Sequence, residues 1–179
     1  MYPGRNQKGV TLLELLIAIV VIAILVTWAV PNFQETIRSN QVAAQNNELI
    51  GLIHLARNEA IRRNPQGATP NERTVRVQLT AGAESWRGVV RPPSAIDPPP
   101  PGCPVGTIRC SENQRVVLSF PSGASDVRFD NRGYSVNNDG DITAVNLQLV
   151  HANANSPRHR RCVRVFPGGQ VVSEEGTCS

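Results

Sequence analysis

The strongest pattern in the chain is an apolar run at residues 10–30, followed by apolar residues spaced three or four positions apart. The run contains one charged residue, Glu14. As a helix rising about 1.5 Å per residue, it would be about 31 Å long, the thickness of one bilayer core. From residue 31 onward the spacing is that of an amphipathic helix, which we expect to end at Arg63, before the Asn-Pro-Gln-Gly stop at residues 64–67.

The pattern therefore predicts one long helix with an apolar half at residues 10–30 and an amphipathic half at residues 31–63. The expected apolar face of the second half comprises Phe33, Ile37, Ala44, Leu49, Leu52, Ile53, Ala56 and Ala60. The opposite, polar face comprises Glu35, Arg38, Gln41, Gln45, Glu48, Arg57 and Arg62. An apolar stripe of this kind needs a cover, so we expect a sheet packed against it.

The pattern of residues 64–179 predicts a β-rich globular head. The predicted fold class is therefore α+β. Residues 73–79 alternate between apolar and polar positions, as a half-buried strand does. Residues 92–104 contain seven of the 14 prolines and predict an extended loop. The other expected strands lie at residues 85–91, 114–119, 125–129, 143–150, 161–166 and 170–173.

Glu14 is the residue that an ordinary membrane segment does not explain. A carboxylate inside hydrocarbon costs about 2 to 3 kcal/mol, and neither a plain signal anchor nor a secretory signal cleaved near residues 27–29 gains from it. Cleavage before the apolar run, after Gly9, would give Val10 a new α-amino group. That cation, on the same chain or on a neighbouring copy, would be a partner for the buried glutamate. The sequence thus favours an assembly in which this ion pair orders neighbouring subunits.

Residues 8–14, Lys-Gly-Val-Thr-Leu-Leu-Glu, resemble the class III signal of type IV pilins and type II secretion pseudopilins. The resemblance implies that residues 1–9 are a leader, removed after Gly9 by prepilin peptidase, and that Val10 is then N-methylated. This sequence departs from the signal at Val10, where the family usually has phenylalanine. The resemblance also implies the type IV pilin fold, in which a long helix, membrane-spanning in its first half, packs on a mainly antiparallel β-sheet head.

Pro31 lies inside the predicted helix. A proline removes one backbone hydrogen bond and clashes with the preceding turn, so we expect a kink or local melting there. Pilins commonly carry a proline at this position, and the resemblance implies that this part of the helix can unwind in the filament.

A second resemblance narrows the family. Residues 55–64, Leu-Ala-Arg-Asn-Glu-Ala-Ile-Arg-Arg-Asn, are similar to the signature near the helix end of FimT/FimU minor pilins and GspH pseudopilins. Within this segment Glu59 has helical spacing for ion pairs with Arg62 or Arg63. The resemblance implies a minor pilin that joins the initiating or tip complex of a type IV pilus; the alternative is a minor pseudopilin of type II secretion.

These alternatives imply the same kinds of partner and location. The partners are other minor pilins and the major pilin, or else pseudopilins, together with prepilin peptidase and the inner membrane. Before assembly the chain would cross the bacterial inner membrane once with its head in the periplasm, and after assembly it would lie in the filament or its tip.

The cysteine count suits an oxidising compartment and up to two disulfides. Four cysteines allow three pairings, of which we favour Cys103 with Cys110 and Cys162 with Cys178. The histidines are scattered and no second C-x-x-C motif is present, so we expect no metal site. The sequence contains no catalytic or nucleotide-binding motif, so we expect neither an enzyme nor a cofactor.

DNA uptake is the remaining alternative. The chain has a formal net charge of +4 and would be nearer neutral without its leader, so an anionic partner must meet a local patch. FimT-type relatives that bind DNA carry a basic G-R-x-R-like motif, whereas the corresponding turn at residues 168–172 has no arginine and two acids follow at residues 174 and 175. The candidate patch is the cluster Arg158, Arg160, Arg161 and Arg164.

The site of processing gives the first prediction. Intact mass of the membrane-extracted protein should show the loss of residues 1–9 and the gain of one methyl group, because the sequence favours cleavage after Gly9. An unprocessed mass would contradict this prediction and indicate a plain membrane anchor.

Overall fold

The structure is a computed structural model that describes residues 9–94 and 99–178. Most of the predicted leader, residues 1–8, lies outside the described residues, as do residues 95–98 of the proline-rich loop. Contacts between residues divide the chain into two compact units, Met1–Ile37 and Arg38–Ser179. This boundary falls seven positions after the end of the apolar run at residue 30.

The helix α1 comprises Leu12–Arg63, and it ends at the residue that the sequence predicts. It continues through Pro31 without interruption, so the expected local melting is absent from this structure. One proline costs a helix about 3 kcal/mol, and the backbone hydrogen bonds on both sides of it remain. Unwinding of this region in a filament stays a prediction.

The head unit contains two antiparallel sheets rather than the one that the sequence predicts. Within the described residues, the first sheet has the strand order β3-β2-β1-β5-β6 and the second has the order β4-β7-β8-β9. The strands are β1 Val75–Ala81, β2 Ser85–Arg91, β3 Arg109–Gln114, β4 Val116–Ser119, β5 Asp126–Phe129, β6 Ser135–Val136, β7 Val145–His151, β8 Arg160–Val165 and β9 Val171–Glu175.

The chain passes from one sheet to the other at Arg115, whose φ of 68° is unusual for a residue with a side chain. This single residue separates β3 from β4. The sequence predicted one strand over residues 114–119, whereas the segment ends one strand and begins another in the second sheet. Two further strands were not predicted, because β3 has no apolar residue other than the disulfide-bonded Cys110 and β6 has only two residues.

The second half of α1 forms the core of the head together with the inner faces of both sheets. Leu49, Leu52 and Ile53 are fully or almost fully buried in one cluster with residues of β1, β2, β5, β7 and β8. The expected apolar face was wrong at Ala44, which is exposed. The buried stripe instead runs Val42, Asn46, Leu49, Leu52, Ile53, Ala56 and Ala60, which keeps the three-and-four spacing of one helical face. Phe33 and Ile37, in the N-terminal unit, are exposed.

A close approach between α1 and β2 gives a prediction with a matched pair of glycines. A Cβ on Gly88 would lie 2.6 Å from Leu52 Cδ1 and 3.0 Å from Trp86 Cζ3, and both side chains are only 1% exposed. We expect Gly88→Ala to lower the free energy of unfolding by about 1 to 3 kcal/mol through overpacking.

Gly51 is the control, because it lies on the exposed side of α1, where a Cβ would have no neighbouring atom within 4 Å. We expect Gly51→Ala to raise the free energy of unfolding by up to about 1 kcal/mol through helix propensity. Denaturant unfolding of the two purified variants measures both effects. Equal effects of the same sign would contradict the close packing of α1 on β2.

Candidate functional site

The N-terminal end of α1 carries the predicted processing and assembly residues. Gly9 and Val10 are exposed and precede the helix. Thr11 acts as its N-cap: its Oγ1 accepts a hydrogen bond from the Glu14 backbone N–H at 3.2 Å, and its carbonyl accepts one from the Leu15 N–H at 3.1 Å. Glu14 therefore occupies the third helical position, where Ser/Thr-x-x-Glu capping boxes carry their acid and where the helix dipole favours negative charge.

In this geometry Thr11 caps the backbone N–H of Glu14, and an acidic side chain in the first turn suits the positive end of the helix dipole. The sequence signal was present, since Thr11 and Glu14 have the Thr-x-x-Glu spacing. A glutamine can fill the same capping position without a charge. Glu14→Gln therefore removes the charge while keeping a residue type that suits this helical position.

The apolar half of α1 is exposed along its described length. An 18-residue window of the helix has a mean hydropathy of 2.8 and none of it is buried. By length and composition this segment can cross a membrane. Isoleucine, leucine and valine side chains that are about half or more exposed need apolar surroundings, which lipid or other apolar helices supply.

Arg57, in the segment that resembles the minor pilin signature, joins α1 to two turns of the head. Its Nε donates to the carbonyl of Gly133 and its Nη2 to the carbonyl of Gly168, both at 3.1 Å. Gly133 lies between β5 and β6, and Gly168 lies in the turn between β8 and β9. One guanidinium thus holds a turn from each sheet against the helix.

The second of these turns requires glycine beside Arg57. Gly169 has a φ of +76°, and a Cβ there would lie 2.2 Å from the Gly133 carbonyl oxygen and 2.5 Å from Arg57 Nε. Any side chain would separate the two turns or displace the guanidinium. Sequence reasoning placed Arg57 on the solvent side of the helix and missed this contact, because its partners are backbone carbonyls that no residue pattern reveals.

Glu59 forms the ion pairs that its helical spacing allows. Its Oε2 lies 2.6 Å from Arg62 Nη2 and 2.6 Å from Arg63 Nε. Its side chain is only 13% exposed, so the group is more than a solvated surface pair. The hydrogen bond from Arg62, with that from Arg63, lowers the pKa of Glu59 even though burial opposes the shift.

The structure divides the C-terminal arginine cluster between two faces of β8. Arg158 is exposed in a short 3-10 helix before the strand. Arg160 and Arg164 share one face by alternation, and Arg161 lies on the other. Arg161 is already paired, since its Nη2 is 2.8 Å from Glu175 Oε1.

The neighbouring strand places an acid on each face of this cluster. In the β8–β9 register Glu174 lies opposite Cys162, and Glu175 lies opposite Arg161. Directly opposite residues share a face, so Glu174 lies on the side of Arg160 and Arg164. The interleaved acids reduce the positive potential that a phosphate backbone would meet, and the geometry does not favour DNA binding here.

The C-terminus is held by a disulfide and by a glutamine. Cys162 is bonded to Cys178, and Cys103 to Cys110, which is the pairing that the sequence favoured. Gln148 Nε2 donates to the Gly176 carbonyl at 2.9 Å, and its Oε1 accepts from the Cys178 N–H at 2.7 Å. A loop of this length gives a disulfide stabilisation of about 3 kcal/mol in the chain-entropy model.

His151 joins the polar side of α1 to β7. Its Nε2 lies 2.9 Å from Gln41 Oε1. Burial lowers the pKa of His151, and the nearby charges of Arg38, His159 and Arg115 lower it further. Within residues 9–94 and 99–178, no group of three or more His, Cys, Asp or Glu side chains is arranged to hold a metal ion.

Comparisons with known proteins place these features in a family. A sequence model of the prokaryotic N-terminal methylation motif matches residues 4–30, and a model of type II transport protein GspH matches residues 45–169. Among curated proteins, none matches the chain.

Solved structures provide a match to the fold. A crystal structure of the type IV minor pilin FimU from Pseudomonas aeruginosa, in space group P21, superposes with a TM-score of 0.53 at 13% identity. The superposition covers 75% of this chain and 89% of FimU. A second crystal form of FimU matches with a TM-score of 0.46 at 11% identity, covering 78% of this chain and 91% of that one. The first match confirms the type IV pilin fold.

The Arg57 contact gives a prediction. We expect Arg57→Lys to lower the free energy of unfolding by about 2 kcal/mol. The single ammonium group of lysine cannot replace the two guanidinium nitrogens that donate to two separate carbonyls. Denaturant unfolding of the purified chain measures the effect, and amide exchange near Gly133 and Gly169 should accelerate.

Arg62→Lys is the matched control, because the Arg62 side chain is 66% exposed and makes its contact on the helix surface. We expect that variant to leave the free energy of unfolding nearly unchanged, because lysine keeps the positive charge beside Glu59 and exposed ion pairs contribute little. An equal loss in both variants would show that Arg57 does not hold the two turns.

Proposed function

We propose that this chain, which belongs to the GspH family of type II transport proteins, is a minor pilin subunit of a type IV pilus. The observation that carries the proposal is the continuity of α1. One helix runs from the methylation motif through an exposed apolar stretch into the buried core of the head. The similarity of the fold to that of FimU, a type IV minor pilin, supports the same function.

Processing prepares the chain for assembly. Prepilin peptidase removes residues 1–9 by cutting after Gly9 and methylates the amino group of Val10. Residues 10–30 hold the precursor in the inner membrane as a single span, with residues 64–179 forming the head in the periplasm. Residues 31–63 connect the two, and the helix near Pro31 unwinds when the subunit enters the filament.

Glu14 recruits the subunit through its charge. In the membrane its carboxylate meets a methylated amino terminus, its own or that of an adjacent subunit, and the pair is far less costly in lipid than an isolated acid. The partners are other minor pilins and the major pilin. Together with the other minor pilins, this chain forms the complex that initiates the pilus and remains at its tip.

The family itself favours a second candidate function, a minor pseudopilin of a type II secretion system. Both functions use the same processing, helix and head. Deletion of the gene separates them: the first predicts loss of surface pili with normal secretion, and the second predicts secreted proteins retained in the periplasm. Complementation with the intact gene is the control.

The charge and the helix cap at Glu14 can be tested separately. We expect Glu14→Gln to be inserted and cleaved normally but to be lost from filaments or partner complexes, because glutamine can keep the capping position and removes the charge. Glu14→Ala should show the same loss. Immunoblots of the membrane and sheared-filament fractions measure both steps.

Two results would contradict the charge pairing. Normal incorporation of Glu14→Gln with loss of Glu14→Ala would show that the helix cap, rather than the charge, matters. Normal incorporation of both variants would show that Glu14 does not recruit the subunit.

A further inference from the structure

Three arginines form a row across neighbouring strands of the first sheet. The register places Arg76 of β1 directly opposite Arg91 of β2 on one side and opposite Arg128 of β5 on the other. Directly opposite residues point to the same face of a sheet. Adjacent strands are about 4.8 Å apart, so the three backbone positions span about 10 Å.

The row lies on the face of the sheet that points away from the core, where Arg76 and Arg91 are half-buried and Arg128 is only 7% exposed. Val75, Val77 and Leu79 alternate with Arg76 along β1 and are buried in the core, so Arg76 points away from it. On β5, Val127 and Phe129 are likewise buried on either side of Arg128.

The two outer arginines of the row are held in place. Arg128 Nε lies 2.7 Å from Asp126 Oδ2, and its Nη1 donates to Asn71 Oδ1. Arg91 Nε donates to Gln78 Oε1 at 3.0 Å. Glutamine and asparagine orient a guanidinium without neutralising it, so Asp126 is the acid paired with this row among the described residues.

Arg76 occupies the centre of the row between two like charges. No hydrogen bond or ion pair joins its side chain to a residue in the described ranges. Burial lowers the pKa of Arg76, and the charges of Arg128 and Arg91 lower it further, while Asp126 acts in the opposite direction. Like charges directly opposite each other destabilise a sheet. The row therefore carries an electrostatic cost that a bound anion would relieve.

We propose that Arg76 and Arg91, backed by the buried Arg128, form a docking site for the carboxylates of an acidic segment on a neighbouring protein subunit. An extended segment presents alternate side chains on one side about 7 Å apart, so one carboxylate can reach Arg76 while the next reaches Arg91. Guanidinium groups bind carboxylates through charge-assisted hydrogen bonds, and the single bond from Arg128 Nε to Asp126 Oδ2 is one such contact inside the row.

The charge balance favours a small acidic segment over nucleic acid. Arg87, which lies opposite Glu112 on the same outer face, brings the face to four arginines against the two acids Asp126 and Glu112. Duplex DNA binding rests on several phosphate contacts within a wide positive field. The row alone, three arginines against Asp126, has an excess of two charges within about 10 Å, which suits a pair of carboxylates.

Peptide binding by the full processed chain in non-ionic detergent tests the proposal. The probes are fluorescein-labelled octaglutamate, octaglutamine as the uncharged control, and a single-stranded DNA octamer. We expect octaglutamate to bind at low ionic strength and octaglutamine not to bind. Arg76→Gln should weaken octaglutamate binding by about tenfold.

Arg132→Gln is the matched control, because it removes the same charge from an exposed loop of the head. It should leave octaglutamate binding unchanged. Arg76→Gln should also leave the melting temperature unchanged or raise it, because it relieves repulsion in the row. Arg91→Gln provides a second variant of the row if the first does not fold.

Three results would overturn the proposal: no binding of octaglutamate, equal losses in Arg76→Gln and Arg132→Gln, or tighter binding of the DNA octamer that the row variants abolish. The proposal takes from the proposed function only that the acidic segment belongs to a neighbouring subunit. The binding assay needs no filament, so its failure would leave the processing and Glu14 results intact, and their failure would leave the binding result intact.

Discussion

The head depends on the burial of one face of α1. Leu49, Leu52 and Ile53 lie where the inner faces of both sheets meet, and burying a side chain of this size contributes about 1.5 to 3 kcal/mol. Buried residues of both sheets join the helix in this one cluster. The helix is therefore the shared core of the two sheets, and its sequence must satisfy packing in its second half while remaining apolar and exposed in its first.

Polar contacts fix how the helix lies on the sheets. Gln45 bonds both Trp86 and the backbone of β3, Asn46 accepts from Ser173 of β9, and Arg57 reaches the turns at Gly133 and Gly168. Apolar burial alone is not directional, whereas hydrogen bonds to particular carbonyls fix rotation and register. These contacts give the family signature around Arg57 a physical meaning: it ties the end of the helix to one turn of each sheet.

The sequence predicts those features whose cause is local. The end of α1 at Arg63 follows from the Asn-Pro-Gln-Gly stop, and β2 has the predicted bounds because its apolar positions are dense and its ends are marked. The polar strand β3 could not be predicted, because its place comes from pairing with β2. The passage from β3 to β4, in the other sheet, takes one backbone conformation at Arg115, and the arginine row depends on a register between three strands. Likewise Arg57 binds carbonyls 76 and 111 positions away, which no spacing along the chain indicates.

The second half of α1 belongs to the cooperative core of the head. A partner that binds the first half of the helix is therefore linked to the β-sheets through one continuous helix. Native-state hydrogen exchange of the processed chain in detergent tests this cooperativity most directly. The account predicts that the amides of residues 49–60 exchange as slowly as those of β7, through global unfolding. Exchange of the helix amides by a separate, lower-energy opening while β7 stays protected would contradict it.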